Sequence, residues 1–346
     1  MKRSLLPAAV ALLFVLPSVA AEETASRGDK GPAAIVVARV GEQPIYRAEL
    51  DAALRRFGHD RIRSPEQRQR LEAETVEQLV DERLLKQRIA KEKIVADKEK
   101  VTALVQQMRS QLAERNIPLE TFLSQSGRDE ALLRSQIELE VALEKLVSPR
   151  VTKAALESLF ADRRRELDGT RLRASHIVLR PDLARGADAV PEMIRKADAI
   201  RREILTGTIT FEEAAKKYSA GPSRRQGGDV GYFPRQGPMD ETFSREAFKL
   251  AKGDVSKPFV SPFGVHIVTI TDIQPGNASF ETVRPQLEKM LAQQAIREIL
   301  ASCRRETPVR FAAGVPHFDP AIPVGDAGPR RIVLSGDEAA EPAAAD

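Results

Sequence analysis

The sequence predicts an α+β protein in which a helical domain is interrupted by a smaller domain of strands and helices. Three observations carry this expectation. Apolar residues recur at helical spacing across residues 65–164. The character changes at Asp168 and Gly169, after which the strand-like LRASHIVL and VHIVTITDI bracket two helical patterns. From Ser279 to about Arg305 the helical pattern returns with Val283, Leu287, Met290, Leu291, Ile296, Ile299 and Leu300. A lone helix cannot bury such a face, so it is expected to fold back on the helices before residue 165.

The elements follow in order. Residues 1–21 carry Lys2 and Arg3, an apolar run from Leu5 to Leu16 and small residues at Ser18 and Ala20, the arrangement of a secretory signal cleaved after Ala20 or Ala21. An uncleaved anchor is the alternative, although the run is short for a membrane span. A polar linker occupies 22–34, and IVVARVGEQPIY reads as two extended pieces around a turn at Gly41. The helical domain is placed at 35–167. Ser64, Pro65 and Gln67 form a helix start, Asp97 caps the next helix, and Asn116 to Pro118 break it. Further helices are expected over 119–125, 128–147 and 152–164. In the inserted domain, 170–275, a helix from about Pro191 to Leu205 precedes one that Thr210 and Glu213 start with a capping box, and a short helix is expected to be capped by Ser244. The returning helix is placed at 279–306. The end, 312–346, is rich in Ala, Pro, Gly and acid and is expected to be disordered.

Composition narrows the function. The 346 residues hold 54 basic and 50 acidic side chains, interleaved to a net charge of +4, which argues against nucleic acid as the main partner. The single cysteine, Cys303, cannot form an internal disulfide, and no cysteine near the signal offers a lipid anchor. An exported chain without an integral membrane segment after cleavage is the expectation. Of the four histidines, His59, His176, His266 and His317, two lie in the strand-like segments. Strand alternation puts His176 on the face of Val178 and His266 on the face of Val268. Two such imidazoles either meet in the core or each satisfy a separate hydrogen bond. No ligand-spaced Cys, His or carboxylate accompanies them, so neither a metal nor a cofactor is expected.

RASHIVL (173–179), FEEAAKKYS (211–219), GGDVGYF (227–233), FSREAFKL (243–250) and GVHIVTI (264–270) resemble, in order and spacing, the parvulin-type (PpiC-like) peptidyl-prolyl cis-trans isomerases. VARVGEQPIYRAELD, LVDERLL and the returning helix are similar to the chaperone portion of exported SurA-like and PrsA-like foldases. The resemblance implies an antiparallel sheet flanked by helices, a periplasmic or secreted location, and unfolded or extended polypeptides containing proline as partners. It makes His176 and His266 the family's paired core histidines and Ser261 their hydroxyl partner. Val230, Met239 and Phe243 fall at its apolar proline pocket, and Ser219 falls in the substrate-binding segment beside it.

One position departs from the family. Two residues after Ser219, where an Asp or Cys faces the reacting carbonyl, stands Gly221. Two readings follow: an isomerase of reduced activity, or a non-catalytic holdase that keeps the domain as a peptide platform. An assembly factor for one exported partner is a third. Replacing Gly221 by Asp is expected to raise activity without disturbing the fold. The GGDVG glycines read as a tight turn rather than a phosphate loop, and Arg224 and Arg225 as solvated charges.

Overall fold

The computed structural model describes residues 35–56, 62, 64–125, 129–182, 188–319 and 331–334. The signal and linker expected over 1–34 and His59 lie outside these residues. The chain divides into two compact units, one of residues up to Thr152 together with those from Glu288 on, the other Lys153–Leu287. The architecture is α+β, with every strand pairing between named strands antiparallel.

In the first unit, β1 (Val36–Val40) pairs with β2 (Gln43–Tyr46), and α1 (Arg47–Arg56) and the long α2 (Pro65–Lys91) follow. The Ser64 side chain accepts from the Gln67 N–H at the start of α2, as its spacing suggests. Helix α3 (Lys98–Ala113) is capped by Asp97, and α4 (Leu119–Gln125) and α5 (Glu130–Val147) complete the run. Leu84, Leu85, Leu143, Ala295, Ile296 and Ile299 meet in the main core, so the returning helix α11 (Phe280–Glu306) closes on α2 and α5. Arg304 of α11 reaches Glu77 at 2.6 Å and Asp81 at 2.5 Å on α2. A second cluster joins Val101, Val105, Leu123, Leu133 and Ile137.

Three differences from the sequence expectation arise here. Strand β7 (Val309–Phe311) adds to the other edge of β1. The expectation of disorder over 312–346 fails for 312–319 and 331–334, where β8 (Pro316–Phe318) pairs with β9 (Ile332–Leu334) and Val315, His317 and Phe318 are buried. The rest of that segment lies outside the described residues. Helices α6 (Lys153–Asp162) and α7 (Arg164–Leu167), expected in the helical domain, belong to the second unit, as do Val283 and Leu287 at the start of α11.

The second unit is built on a four-stranded sheet of order β4, β3, β6, β5, made of β4 (Asp229–Pro234), β3 (Arg171–Leu179), β6 (Gly264–Gln274) and β5 (Phe259–Ser261). Alternation gives each face its own core. Ile177, Leu179, Val265 and Ile267 pack under α8 (Ala189–Leu205) and α9 (Phe211–Tyr218). Leu172, Ala174, Val268 and Ile270 pack with Phe243, Ala247 and Phe248 of α10 (Glu241–Phe248). The Thr210 and Glu213 capping box is present. Helix α10 starts one turn earlier than expected: Asp240 is its N-cap, accepting from the Thr242 and Phe243 N–H groups, while Ser244 is buried inside the helix. Where the chain enters and leaves this sheet, the Asp168 carbonyl accepts from the Ala278 N–H at 2.9 Å and the Thr170 hydroxyl from the Gly276 N–H at 3.0 Å.

Candidate active site

The β3 and β6 ladder sets His176 opposite Val268 and His266 opposite Val178, so the two imidazoles emerge diagonally on one face. Their ring centroids are 5.5 Å apart with planes tilted by 31°. Phe243 from α10 meets both rings edge-on, at 5.6 Å from His176 and 5.8 Å from His266. Phe259 of β5 stacks on His266 at 5.4 Å. The Ser261 hydroxyl lies 2.8 Å from His266 Nε2, and the backbone N–H of His176 donates to the Gly228 carbonyl at 2.9 Å.

Above the pair opens a cavity of about 180 Å³. Its lining brings together His176, His266, Ser261, Gly221, Met239 and Phe243, six of the eight residues singled out in the sequence. The other two lie elsewhere. Ser219 is only 2% exposed, and its hydroxyl accepts from the backbone N–H groups of Val178 and Gly221, both at 3.2 Å. It fixes the loop rather than facing a ligand. Val230 packs against the cluster of Phe233, Phe243 and Phe248 and is not among the lining residues. Its facing was unreadable because Gly231, at φ +71°, breaks the alternation of β4. Sequence reasoning missed Val178, Arg180, Pro238, Asp240 and Phe263, which also line the cavity. The short spacing of FVSPFGVHI, two strand pieces around Pro262 and Phe263, is the signal that could have brought Phe263 to notice.

Gly221 sits in ordinary extended backbone, φ −81° and ψ 161°. A Cβ there would stand 2.9 Å from Val178 Cγ1 and 3.2 Å from His176 Nε2. The glycine therefore leaves the His176 ring edge facing open cavity, and a side chain at this position is aimed at the imidazole but crowded by Val178. Arg224 is more than a solvated charge: its guanidinium donates to the Lys216 and Lys217 carbonyls at the end of α9.

Both imidazoles are held neutral at pH 7. Burial lowers the pKa of His176, and burial together with the nearby His176 lowers that of His266 to about 4, the Asp240 carboxylate opposing weakly. The unfolded chain therefore binds more protons than the folded one as pH falls from the ordinary 6.5 to about 4. Stability from this group is complete above that window and is lost downward through it, by about 3 kcal/mol in the limit. A stability that stays flat between pH 7 and 4.5 in urea unfolding, or a His266 ring titrating near its ordinary pKa by NMR, contradicts this.

Residues 176–272 match the PPIC-type PPIASE domain, and residues 2–147 match the SurA-like N-terminal domain. Foldase protein PrsA of Bacillus subtilis (strain 168) is 29% identical over 206 residues, 59% of this chain and 61% of its own length. A probable parvulin-type peptidyl-prolyl cis-trans isomerase of Bordetella bronchiseptica is 24% identical over 220 residues, 59% of this chain and 80% of its own. A crystal structure of the peptidylprolyl isomerase PrsA from Bacillus anthracis, 24% identical, overlaps 67% of this chain and 96% of its own with a TM-score of 0.39. The chain spans 52–61% of the length of three PrsA foldases it matches.

Proposed function

We propose that this chain, a parvulin-type protein that joins a PPIC-type PPIase domain to a SurA-like N-terminal domain, is an exported foldase that turns X-Pro bonds in unfolded polypeptides. The single observation that carries the reading is the pair of neutral imidazoles beneath an apolar cavity lined by Met239 and Phe243. An X-Pro bond turns slowly because its partial double bond must be twisted, against a barrier of about 18 to 20 kcal/mol. No covalent bond is broken. Twisting abolishes the charge separation of the planar amide, so an apolar cleft that excludes water favours the twisted state over the ground state.

The residues take distinct parts in this. Met239 and Phe243 receive the prolyl ring. His176 and His266 form an uncharged floor, and Ser261 fixes the orientation of His266 through Nε2. Asp240, on the same lining, is held in place by the first N–H groups of α10, whose hydrogen bonds its carboxylate accepts. The charged, apolar and small-residue order of residues 1–21, expected of a secretory signal, supports an exported location, which this reading places in the periplasm. No described helix is long and apolar enough to cross a membrane.

Gly221 favours a second reading, a holdase in which the cavity binds prolyl segments without turning them, since no side chain reaches from this position toward the amide. NMR exchange spectroscopy on X-Pro peptides separates the two. Isomerisation that rises with protein concentration is the expected result. No rate above background, in a protein that still slows aggregation of an unfolded client, assigns the holdase.

A further inference from the structure

We infer that the second unit carries a further binding site, on the sheet face opposite the histidines, for an uncharged sugar. The site is a cavity of about 490 Å³. Ser175 of β3 and Thr269 of β6 form its floor, directly opposite each other across the ladder. Their neighbours in sequence are His176 and Val268, so alternation turns both hydroxyl side chains away from the histidine cavity and onto the face of Ile177 and Ile267. Both residues are only 9% exposed, and neither hydroxyl has a hydrogen-bond partner among the described residues. Buried hydroxyls without partners are rare in folded proteins, and two of them side by side on a cavity floor point to a ligand that supplies the missing bonds.

The walls decide the class of ligand. Arg173 meets Asp229 at 2.6 Å and Lys252 meets Asp272 at 2.8 Å, all four on the lining. Glu212, the remaining charge there, is held by Lys216. Each charge is thus already matched by a neighbour, so an ionic ligand would have to displace a partner and a neutral one would not. The ion pairs set donor-only and acceptor-only groups around hydroxyls that do both. Adjacent hydroxyls on a sugar ring, each able to give and to take a hydrogen bond, suit such an arrangement. Half-buried Phe211 also lines the cavity and offers an apolar surface to the C–H face of the ring. An extended polypeptide fits less well: it needs an unpaired strand edge, and β3 and β6 are already joined to each other across the floor. The volume lies within the roughly 300 to 1,000 Å³ of small-molecule sites.

Two-dimensional NMR titration of the full chain tests this. Maltose and chitobiose are expected to shift the Ser175 and Thr269 amide signals saturably and to leave those of Met239 and Phe243 in place. Ser175→Ala and Thr269→Val are each expected to weaken binding about three- to tenfold, and together about tenfold or more, whereas Thr269→Ser keeps it within about twofold. Unmoved Met239 and Phe243 signals in the variants establish that the sheet is intact. Glucuronate and glucosamine, which carry a charge, are expected to bind more weakly than glucose. Maltotetraose held more tightly than maltose identifies a glycan chain as the source of the sugar, and equal affinity identifies a free saccharide. No saturable shift with either disaccharide up to its solubility limit, wild-type affinity in the double variant, or a charged sugar held more tightly than glucose overturns the inference. The readout involves no X-Pro turnover, so it stands or falls apart from the isomerase reading.

Discussion

His266→Ala is expected to loosen the β3 and β6 ladder, lowering hydrogen-exchange protection of its amides by about 30- to 1,000-fold, the equivalent of about 2 to 4 kcal/mol. The imidazole is 4% exposed and is wedged between the stacked Phe259 and the edge-on Phe243. Truncation opens a void among rings that cannot collapse together, because each is anchored on a different element. It also removes the partner of the Ser261 hydroxyl. Hydrogen exchange is the suitable readout, since a chain of two compact units need not melt in one step. His266→Leu, which restores most of the volume, is expected to recover protection and not turnover. Protection within about threefold of wild type in His266→Ala would mean that the ring is dispensable to the core.

Gly221→Asp is expected to raise isomerisation by about tenfold or more once room is made for it, within the range that a positioned polar side chain supplies. The backbone accepts the substitution, since φ −81° is open to any residue. Space does not: the new Cβ would lie 2.9 Å from Val178 Cγ1, so the single variant forces a shift costing about 1 to 3 kcal/mol. The expectation of an undisturbed fold is corrected on this ground, and Gly221→Asp/Val178→Ala is the informative protein, with Val178→Ala as its control. Its carboxylate would stand beside His176 Nε2 and raise that ring's pKa against the lowering by burial, a shift NMR titration reads directly. A well-folded double variant with the raised His176 pKa but unaltered turnover would show that Gly221 is not where the missing group belongs.

What the sequence disclosed, and what it hid, follows from the range of the forces concerned. Thr210 and Glu213, Ser64 and Asp97 are local devices whose partners lie within three residues; the first box and the Asp97 cap form as written, whereas Ser64 accepts from the Gln67 N–H without the reciprocal bond of the capping box its spacing with Gln67 suggests. Alternation set His176 and His266 each on the face of a valine in its own strand, but that the two share one face, in diagonal register, depends on pairing that only the folded sheet fixes, and only the family resemblance implied it beforehand. Ser244 misled because an Asp with the same capping ability precedes it by four residues, and a buried position between Phe243 and Ala247 suits a small residue equally well. Strands β7, β8 and β9 hold three residues each, too few for alternation to declare itself in an Ala- and Pro-rich stretch. Helix α6 was recognisable as a helix and the four-residue α7 was not, and periodicity says nothing about which core a helix will join.

The hydrogen bonds between Asp168 and Ala278 and between Thr170 and Gly276 bear on how so large an insertion is tolerated. Inside the second unit, they bring the two ends of the 170–275 segment together like the neck of a drawn purse. Seen from the flanking segments, the whole intervening polypeptide then acts as a tie of a few residues, and the entropy lost in joining those segments is set by that short tie rather than by the chain stored beyond it.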